Sequence, residues 1–169
     1  MQALNAGETA PDFSLTDCSG QSFTLSEKLK QGPVVLAFFK ISCPTCQFAF
    51  PWFDRIFRGL GGQATLAGIS QNSLADTRLF LSEFDLTMPM LLDDTATYEV
   101  SNAYGITHVP TLFLISTAGR IELSSVGWAR ADIEELAVML RTSLHIPLGG
   151  VFDDGEAVAP FISGCASLN

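Results

Sequence analysis

The stretch that decides the fold is VVLAFFKISCPTC, residues 34–46. Its first half is unbroken apolar sequence, which predicts a central strand covered on both faces, and a helical pattern of apolar residues follows it. Cys43 and Cys46 would then lie three positions apart at a strand-to-helix turn, where they can close a small-ring disulfide. At a helix N-terminus, unpaired N–H groups and the dipole favour the Cys43 thiolate, the form that attacks disulfides. The pattern predicts a redox-active dithiol.

Length and composition indicate one globular domain. The chain has 169 residues, of which 47% are hydrophobic and 16% charged. A net charge of −9 argues against binding nucleic acid or an anionic membrane surface. No apolar run reaches the roughly 20 residues of a membrane span. Residues 1–8 lack the basic and apolar regions of a signal peptide, so we expect a cytoplasmic protein, or a periplasmic or exported one if a leader was removed.

Periodicity predicts an α/β protein with a mixed central sheet flanked by helices. A hairpin is expected around Ser19-Gly20, within residues 10–25. Further strands are expected at 64–70, 89–94, 111–115 and 120–126, and helices at 27–30, 44–60, 73–84, 95–104 and 130–142. The pattern ends at Pro147, beyond which Gly, Asp and Pro accumulate. We therefore predict a domain over residues 1–146 and an irregular tail over 147–169.

The cysteines do not form the pattern of a metal or haem site. A zinc site would need two ligands beyond Cys43 and Cys46, and the histidines, His108 and His145, lie far apart in sequence. A c-type haem would need histidine after the second cysteine, where Gln47 stands. We therefore predict no metal and no cofactor.

The other two cysteines receive different predictions. Cys18 lies on the N-terminal hairpin and is expected to be a small buried hydrophobe. Cys165 lies in the tail. It is either an ordinary free thiol or an extra redox thiol that pairs with Cys43, with Cys46 or with another chain.

Several ordered motifs carry a family resemblance. They are GETAPDFSLTDCSGQSFTLSE (7–27), CPTC (43–46), Pro51, TMPMLLD (87–93), AYGITHVPTLFLI (103–115) and GRI (119–121). Together they resemble the redoxin branch of the thioredoxin superfamily, and most of all its TlpA/ResA-like thiol–disulfide oxidoreductases, which are related to AhpC/TSA peroxiredoxins. The resemblance covers roughly residues 7–143 and implies a thioredoxin-like fold with an N-terminal β-hairpin extension.

The resemblance assigns roles to individual residues. It implies that Cys43 attacks, that Cys46 resolves, and that Val109-Pro110 is a cis peptide facing the dithiol. The turn at Pro110 would leave the backbone of Val109 free to pair with an extended substrate. The implied partners are protein or small-molecule disulfides and dithiols, together with an unidentified redox partner. The candidate substrate-binding residues are Val109, Pro44 and Thr45.

The chain also departs from this family at three places. Ser42 replaces a Trp before the first cysteine, Ala37 replaces a buried Asp or Asn, and Gln71-Asn72 occupies the region of a family glutamate. No carboxylate is therefore evident to relay protons to the second cysteine. We expect Lys40, His108 or solvent to substitute as proton relay, and Lys40 or His108 to act as a local charge if either lies near the pair.

Two alternative functions remain. In a peroxiredoxin-like peroxidase, Cys46 would be the peroxidatic cysteine and Cys43 or Cys165 would resolve it. The peroxidatic motif P-x-x-x-[ST]-x-x-C fits poorly, because Lys40 falls at its proline (with one gap) and Cys43 at its Ser or Thr. A binding module with structural cysteines is the third possibility. The intact C-P-T-C favours the oxidoreductase.

Overall fold

Eleven strands and five helices form the fold in the computed structural model, which describes residues 2–169. The strands are β1 (Ser14–Asp17), β2 (Ser22–Thr24), β3 (Val34–Phe39), β4 (Thr65–Ser70), β5 (Met90–Leu92), β6 (His108–Val109), β7 (Thr111–Ile115), β8 (Ile121–Val126), β9 (Trp128–Ala129), β10 (Phe161–Ile162) and β11 (Cys165–Ala166). The helices are α1 (Leu25–Leu29), α2 (Pro44–Leu60), α3 (Leu74–Glu83), α4 (Glu99–Ala103) and α5 (Arg130–Leu144).

Seven of the strands form one mixed sheet in the order β2-β1-β5-β4-β3-β7-β8. Strands β3, β4 and β5 are parallel neighbours, and the crossovers between them contain α2 and α3. The pairs on either side, β1 with β5 and β7 with β3, are antiparallel. This arrangement confirms the predicted mixed sheet and N-terminal hairpin.

The central strand β3 is buried along its whole length because aromatic side chains cover both of its faces. On one face the Phe39 ring lies 4.4 Å from that of Phe50 in α2 and 5.0 Å from that of Phe80 in α3. On the other face the Phe38 ring lies 5.3 Å from that of Tyr104. These close aromatic contacts hold the end of β3 in place, and with it the start of α2, which carries the dithiol.

The helix expected over residues 95–104 is shorter than predicted. Tyr98 has a positive φ of 49°, so the regular helix begins only at Glu99. The Asp93 carboxylate accepts hydrogen bonds from the N–H groups of Val100 and Ser101, while Asp94 accepts one from Ala96. The aspartate pair therefore caps both the turn before α4 and the short helix itself.

The tail differs most from its prediction. Ile146, Leu148 and Val151 are buried against the body, and four later residues form strands. Strand β10 pairs with β9, and β11 pairs with β6. The expectation of an irregular segment is wrong for these strands, because two-residue strands are too short to show alternation in sequence. Among the described residues, no helix has the length and apolar character to cross a membrane.

Candidate active site

The first turn of α2 holds the dithiol. Cys43 is the N-cap residue, with extended backbone angles, and its sulfur accepts a hydrogen bond from the Cys46 N–H at 3.3 Å. Pro44 follows at the first helical position, where its missing N–H is not needed. Both sulfur-bearing residues are fully buried, with exposed fractions of 0%. The strand-to-helix turn that the sequence predicted is confirmed.

The two thiols differ in acidity. Hydrogen bonding from the Cys46 thiol, opposed by burial and helped by hydrogen bonding from Cys165, lowers the pKa of Cys43 to about 5. Burial, followed by the interaction with Cys43, raises the pKa of Cys46 well above its ordinary value. At neutral pH, Cys43 is therefore a thiolate and Cys46 a thiol, as expected for an attacking and a resolving cysteine.

The loop before β7 faces the dithiol. The Val109–Pro110 peptide bond is cis, the geometry that the resemblance implied. When Cys43 is protonated, its thiol donates to the Val109 carbonyl at 3.3 Å. The Pro110 carbonyl accepts from the Gly127 N–H at 2.7 Å, which ties this loop to the start of β9. The backbone of Val109 thus lies directly beside the Cys43 sulfur.

The C-terminal tail lies across this loop. In the β6–β11 ladder, Cys165 is opposite Val109 and Ala166 is opposite His108. On the other side of the dithiol, the Thr45 hydroxyl donates to the Ser163 carbonyl at 2.7 Å. The proposed substrate-binding backbone is therefore occupied by the chain's own tail, and a third cysteine lies beside the first.

The side chains of Lys40 and His108 do not contact the dithiol: that of Lys40 contacts the tail, and that of His108 contacts its own loop. The Lys40 ammonium donates to the Ala166 carbonyl at 2.5 Å. The His108 side chain is exposed, and its Nδ1 lies 3.0 Å from the Thr107 hydroxyl. Neither side chain forms a hydrogen bond with a dithiol sulfur within residues 2–169. Their role as proton relay stays a prediction.

Gln71 contacts the tail, which the sequence did not indicate. It is 1% exposed and lies in the Gln71-Asn72 region, where the resemblance implies a glutamate. Its Oε1 accepts from the Leu168 N–H at 2.9 Å, and its Nε2 donates to Asn169 Oδ1 at 2.9 Å and to Ser101 Oγ at 3.1 Å. The side-chain amide therefore binds the end of the tail as both acceptor and donor. A carboxylate in its place could accept from the Leu168 N–H but has no N–H to donate to Asn169 or Ser101. The departure from the family pattern was the available signal.

The buried carboxylates of residues 2–169 have other partners. Asp54 pairs with the Arg58 guanidinium at 2.7 Å and accepts from the Thr87 and Met88 N–H groups. Asp93 caps α4 as described above.

Cys18, expected to be buried, is only half-buried, and its carbonyl accepts from Arg78. That prediction is wrong, because the hairpin lies at the edge of the sheet.

Acidity and burial also bear on the peroxidase alternative. A peroxidatic cysteine must be an accessible thiolate. Cys43 and Cys46 are equally buried, so acidity alone separates them: the pKa of Cys46 is raised, whereas that of Cys43 is lowered to about 5. A Cys46 that stays protonated does not fit the peroxidatic role.

Similarity to known proteins agrees with this site. The family described as "AhpC/TSA family" matches residues 6–124. A thiol-disulfide oxidoreductase ResA from Geobacillus kaustophilus is 32% identical over 136 residues, which cover 78% of this chain and 76% of that protein.

Solved structures share the fold. A structure described as thiol:disulfide interchange protein DsbE from Chlorobium tepidum has a TM-score of 0.73 and 27% identity, covering 84% of this chain and 99% of that one. Peroxidoxin BcpB from Mycobacterium tuberculosis has a TM-score of 0.70 at 24% identity, covering 82% and 97%. At that identity the likeness concerns the fold alone. Oxidoreductases and a peroxidoxin thus share one architecture, and the site must distinguish them.

Proposed function

Because this chain belongs to the AhpC/TSA family and carries an asymmetric C-P-T-C dithiol, we propose that it is a thiol–disulfide oxidoreductase. In this function Cys43 attacks and Cys46 resolves. The observation that carries the proposal is the position of Cys43 at the N-cap of α2, where its sulfur accepts the Cys46 N–H at 3.3 Å and lies 3.3 Å from the Val109 carbonyl oxygen. In agreement with this, hydrogen bonding from Cys46 lowers the pKa of Cys43 to about 5, whereas burial raises that of Cys46. Similarity to the ResA protein, itself named a thiol-disulfide oxidoreductase, supports the same reaction.

The reaction proceeds by two exchanges. The Cys43 thiolate attacks one sulfur of a partner disulfide, the partner's S–S bond breaks, and a mixed disulfide forms while one partner thiolate leaves. Cys46 then loses its proton and attacks the Cys43 sulfur, which releases the second partner thiolate. The partner gains two electrons and two protons, and the enzyme keeps a Cys43–Cys46 disulfide. The reverse sequence oxidises a dithiol partner.

The substrates we propose are protein or small-molecule disulfides that approach in an extended conformation. The Val109 backbone can pair with such a segment, as β-strand addition does in other recognition sites. Pro44 and Thr45 border the same space at the start of α2. A second redox partner, acting on Cys43–Cys46, would return the enzyme to its starting state.

The compartment we propose is the periplasm or another exported location. Disulfides form and persist mainly in oxidising compartments, whereas cytosolic thiols are kept reduced. Fractionation of the native cells with an antibody to the chain tests this proposal, and recovery only with cytoplasmic markers would contradict it.

The reaction itself is tested by insulin-disulfide reduction with dithiothreitol as electron donor. Cys43→Ser should abolish turnover, and Cys46→Ser/Cys165→Ser should leave only stoichiometric mixed disulfide, because neither thiol beside Cys43 remains to resolve it. Cys18→Ser, away from the dithiol, is the matched control and should retain full activity. Peroxide consumption is measured in parallel. Peroxide turnover that survives Cys43→Ser but requires Cys46 would contradict the proposed oxidoreductase function and support the peroxidase function instead.

A further inference from the structure

The tail occupies the position that an extended substrate would take. Strand β11 pairs antiparallel with β6 immediately before the cis proline, and its cysteine is opposite Val109. Interaction with the Cys165 thiol and its N–H is among the causes that lower the Cys43 pKa. A cysteine in an extended segment therefore lies beside the attacking sulfur, on the backbone that would bind a substrate. This is the geometry of a bound partner, supplied by the chain itself.

Polar contacts fasten this segment at points on both sides of Cys165. Before it, the Ser163 carbonyl accepts from Thr45. After it, the Ala166 carbonyl accepts from Lys40 and the Ser167 N–H donates to the Thr107 carbonyl at 3.0 Å. Farther along, Asn169 Nδ2 donates to the Ile106 carbonyl at 2.9 Å. The segment is therefore bound over its whole length, and Cys165 is held in one register.

The same segment buries little apolar surface. None of residues 161–169 is fully buried, and Phe161 is 61% exposed. The earlier part of the tail differs, since Ile146, Leu148 and Val151 are buried. Each hydrogen bond contributes little net free energy, because water can take its place, and an incoming strand can replace those made by the Val109 backbone. The end of the tail can therefore leave while its beginning stays anchored.

We propose that residues 161–169 are a built-in substrate and that Cys165 is a third redox cysteine, which exchanges disulfides with Cys43. The inference rests on the proposed function, because it needs Cys43 to be the attacking cysteine. It adds two consequences. An external partner must displace the tail before it reaches Cys43, and Cys165 can take the place of Cys46 as the disulfide partner of Cys43.

The exchange needs no external electrons. Starting from the Cys43–Cys46 disulfide, the Cys165 thiol loses its proton and attacks the Cys43 sulfur. The Cys43–Cys46 bond breaks, the Cys43–Cys165 bond forms, and Cys46 leaves as a thiolate that takes up a proton. One disulfide and one thiol are present before and after the step, which is reversible. Burial, followed by the interaction with Cys43, raises the pKa of Cys165, and oxidation of Cys43 removes the second of these causes.

The close approach of the tail also restricts which segments fit. A Cβ at Gly164 would lie 3.0 Å from the Val109 carbonyl oxygen and 3.2 Å from the His108 Cβ. A side chain before the exchanging cysteine would require this edge to shift by a few tenths of an ångström. The external partner that fits this edge without such a shift is therefore an extended segment with glycine before its cysteine.

The test uses the Cys46→Ser variant and one equivalent of 4,4′-dithiodipyridine. Cys43 attacks the reagent, releases one thiopyridone and keeps the other as a mixed disulfide. Cys165 should then displace the second thiopyridone, leaving an intramolecular Cys43–Cys165 disulfide about 2 Da lighter than the reduced chain. Peptide mapping without reduction identifies the bond.

The control is Cys46→Ser/Cys165→Ser, which should release one thiopyridone and keep the mixed disulfide. A stable mixed disulfide at Cys43 in Cys46→Ser itself would overturn the tail proposal while leaving the proposed function intact. Absence of any reaction at Cys43 in both variants would overturn both. Should the serine variant fail to fold, the wild-type chain is equilibrated in a glutathione buffer, quenched in acid and mapped. Cys43–Cys165 is expected there beside Cys43–Cys46, and its absence would contradict the proposal.

Discussion

The first turn of α2 and the end of the C-terminal tail each bring a cysteine to the same sulfur, but they hold it differently. Cys46 is fully buried in a helix that packs on the central strand. Cys165 is half-buried on a two-residue strand, in a segment fastened by hydrogen bonds. Cys46 therefore stays beside Cys43, whereas Cys165 can move away when the tail leaves. This difference distinguishes a resolving thiol, which must always be present, from a substrate-like thiol, which must make room for an external partner.

The largest effect is expected from a substitution that forces the tail off its edge. Gly127 has a φ of 77°, and a Cβ there would lie 2.8 Å from the Ile162 carbonyl oxygen and 2.9 Å from the Gly164 nitrogen. We expect Gly127→Ala to displace residues 162–164 and to raise the rate of Cys43 alkylation by iodoacetamide at least about tenfold, which corresponds to about 1.4 kcal/mol. The rate is read by mass spectrometry of the Cys43 peptide.

Gly119→Ala is the matched control for backbone strain. Gly119 also has a φ of 77°, but a Cβ there would meet nothing within 4 Å. Both substitutions should lower the free energy of unfolding by about 1 kcal/mol, because alanine disfavours positive φ. Equal alkylation rates in the two variants would mean that the tail does not cover Cys43.

A smaller effect is expected from loss of one tail contact. Thr45→Val removes the hydrogen bond to the Ser163 carbonyl and keeps the side-chain shape. We expect Cys43 alkylation to rise about fivefold, since one net hydrogen bond is worth about 1 kcal/mol. Thr142→Val removes a similar hydroxyl-to-carbonyl bond within α5 and should leave the rate unchanged. A Thr45→Val rate no faster than that of Thr142→Val would show that this contact does not hold the tail.

The smallest effect concerns acidity. Cys165→Ala removes a thiol whose hydrogen bonding stabilises the Cys43 thiolate, so the pKa of Cys43 should rise from about 5 by about half a unit. The variant should be less ionised than wild type between about pH 4 and pH 7, with no difference well above that window. Thiolate absorbance at about 240 nm, titrated from low to high pH, measures the midpoint.

Cys18→Ala serves as the reference for that titration. Its half-buried thiol is on the N-terminal hairpin, and its pKa is raised by burial. The low-pH midpoint should therefore be the same as in wild type. A midpoint that moves down in Cys165→Ala would contradict the assigned hydrogen bonding.

Most of the fold and the dithiol could be predicted because they depend on local sequence. The apolar run of β3, the proline after Cys43 and the helical pattern of α2 are contiguous, so periodicity and capping rules apply. The position of the tail could not be predicted in this way. Cys165 pairs with Val109 through backbone groups across a long separation, and two-residue strands leave no alternating pattern. Gln71 had only the missing glutamate as its signal.

Hydrogen exchange tests most directly whether the tail occupies the substrate edge. The Cys46→Ser/Cys165→Ala variant is compared before and after coupling of a short glycine-cysteine peptide to Cys43 as a mixed disulfide. The amides that fasten the tail, Ser167 to the Thr107 carbonyl and Leu168 to Gln71, are followed. We predict that both exchange at least about tenfold faster once the peptide is attached, because it displaces the tail. Unchanged protection of both amides, with the peptide covalently in place, would contradict the account.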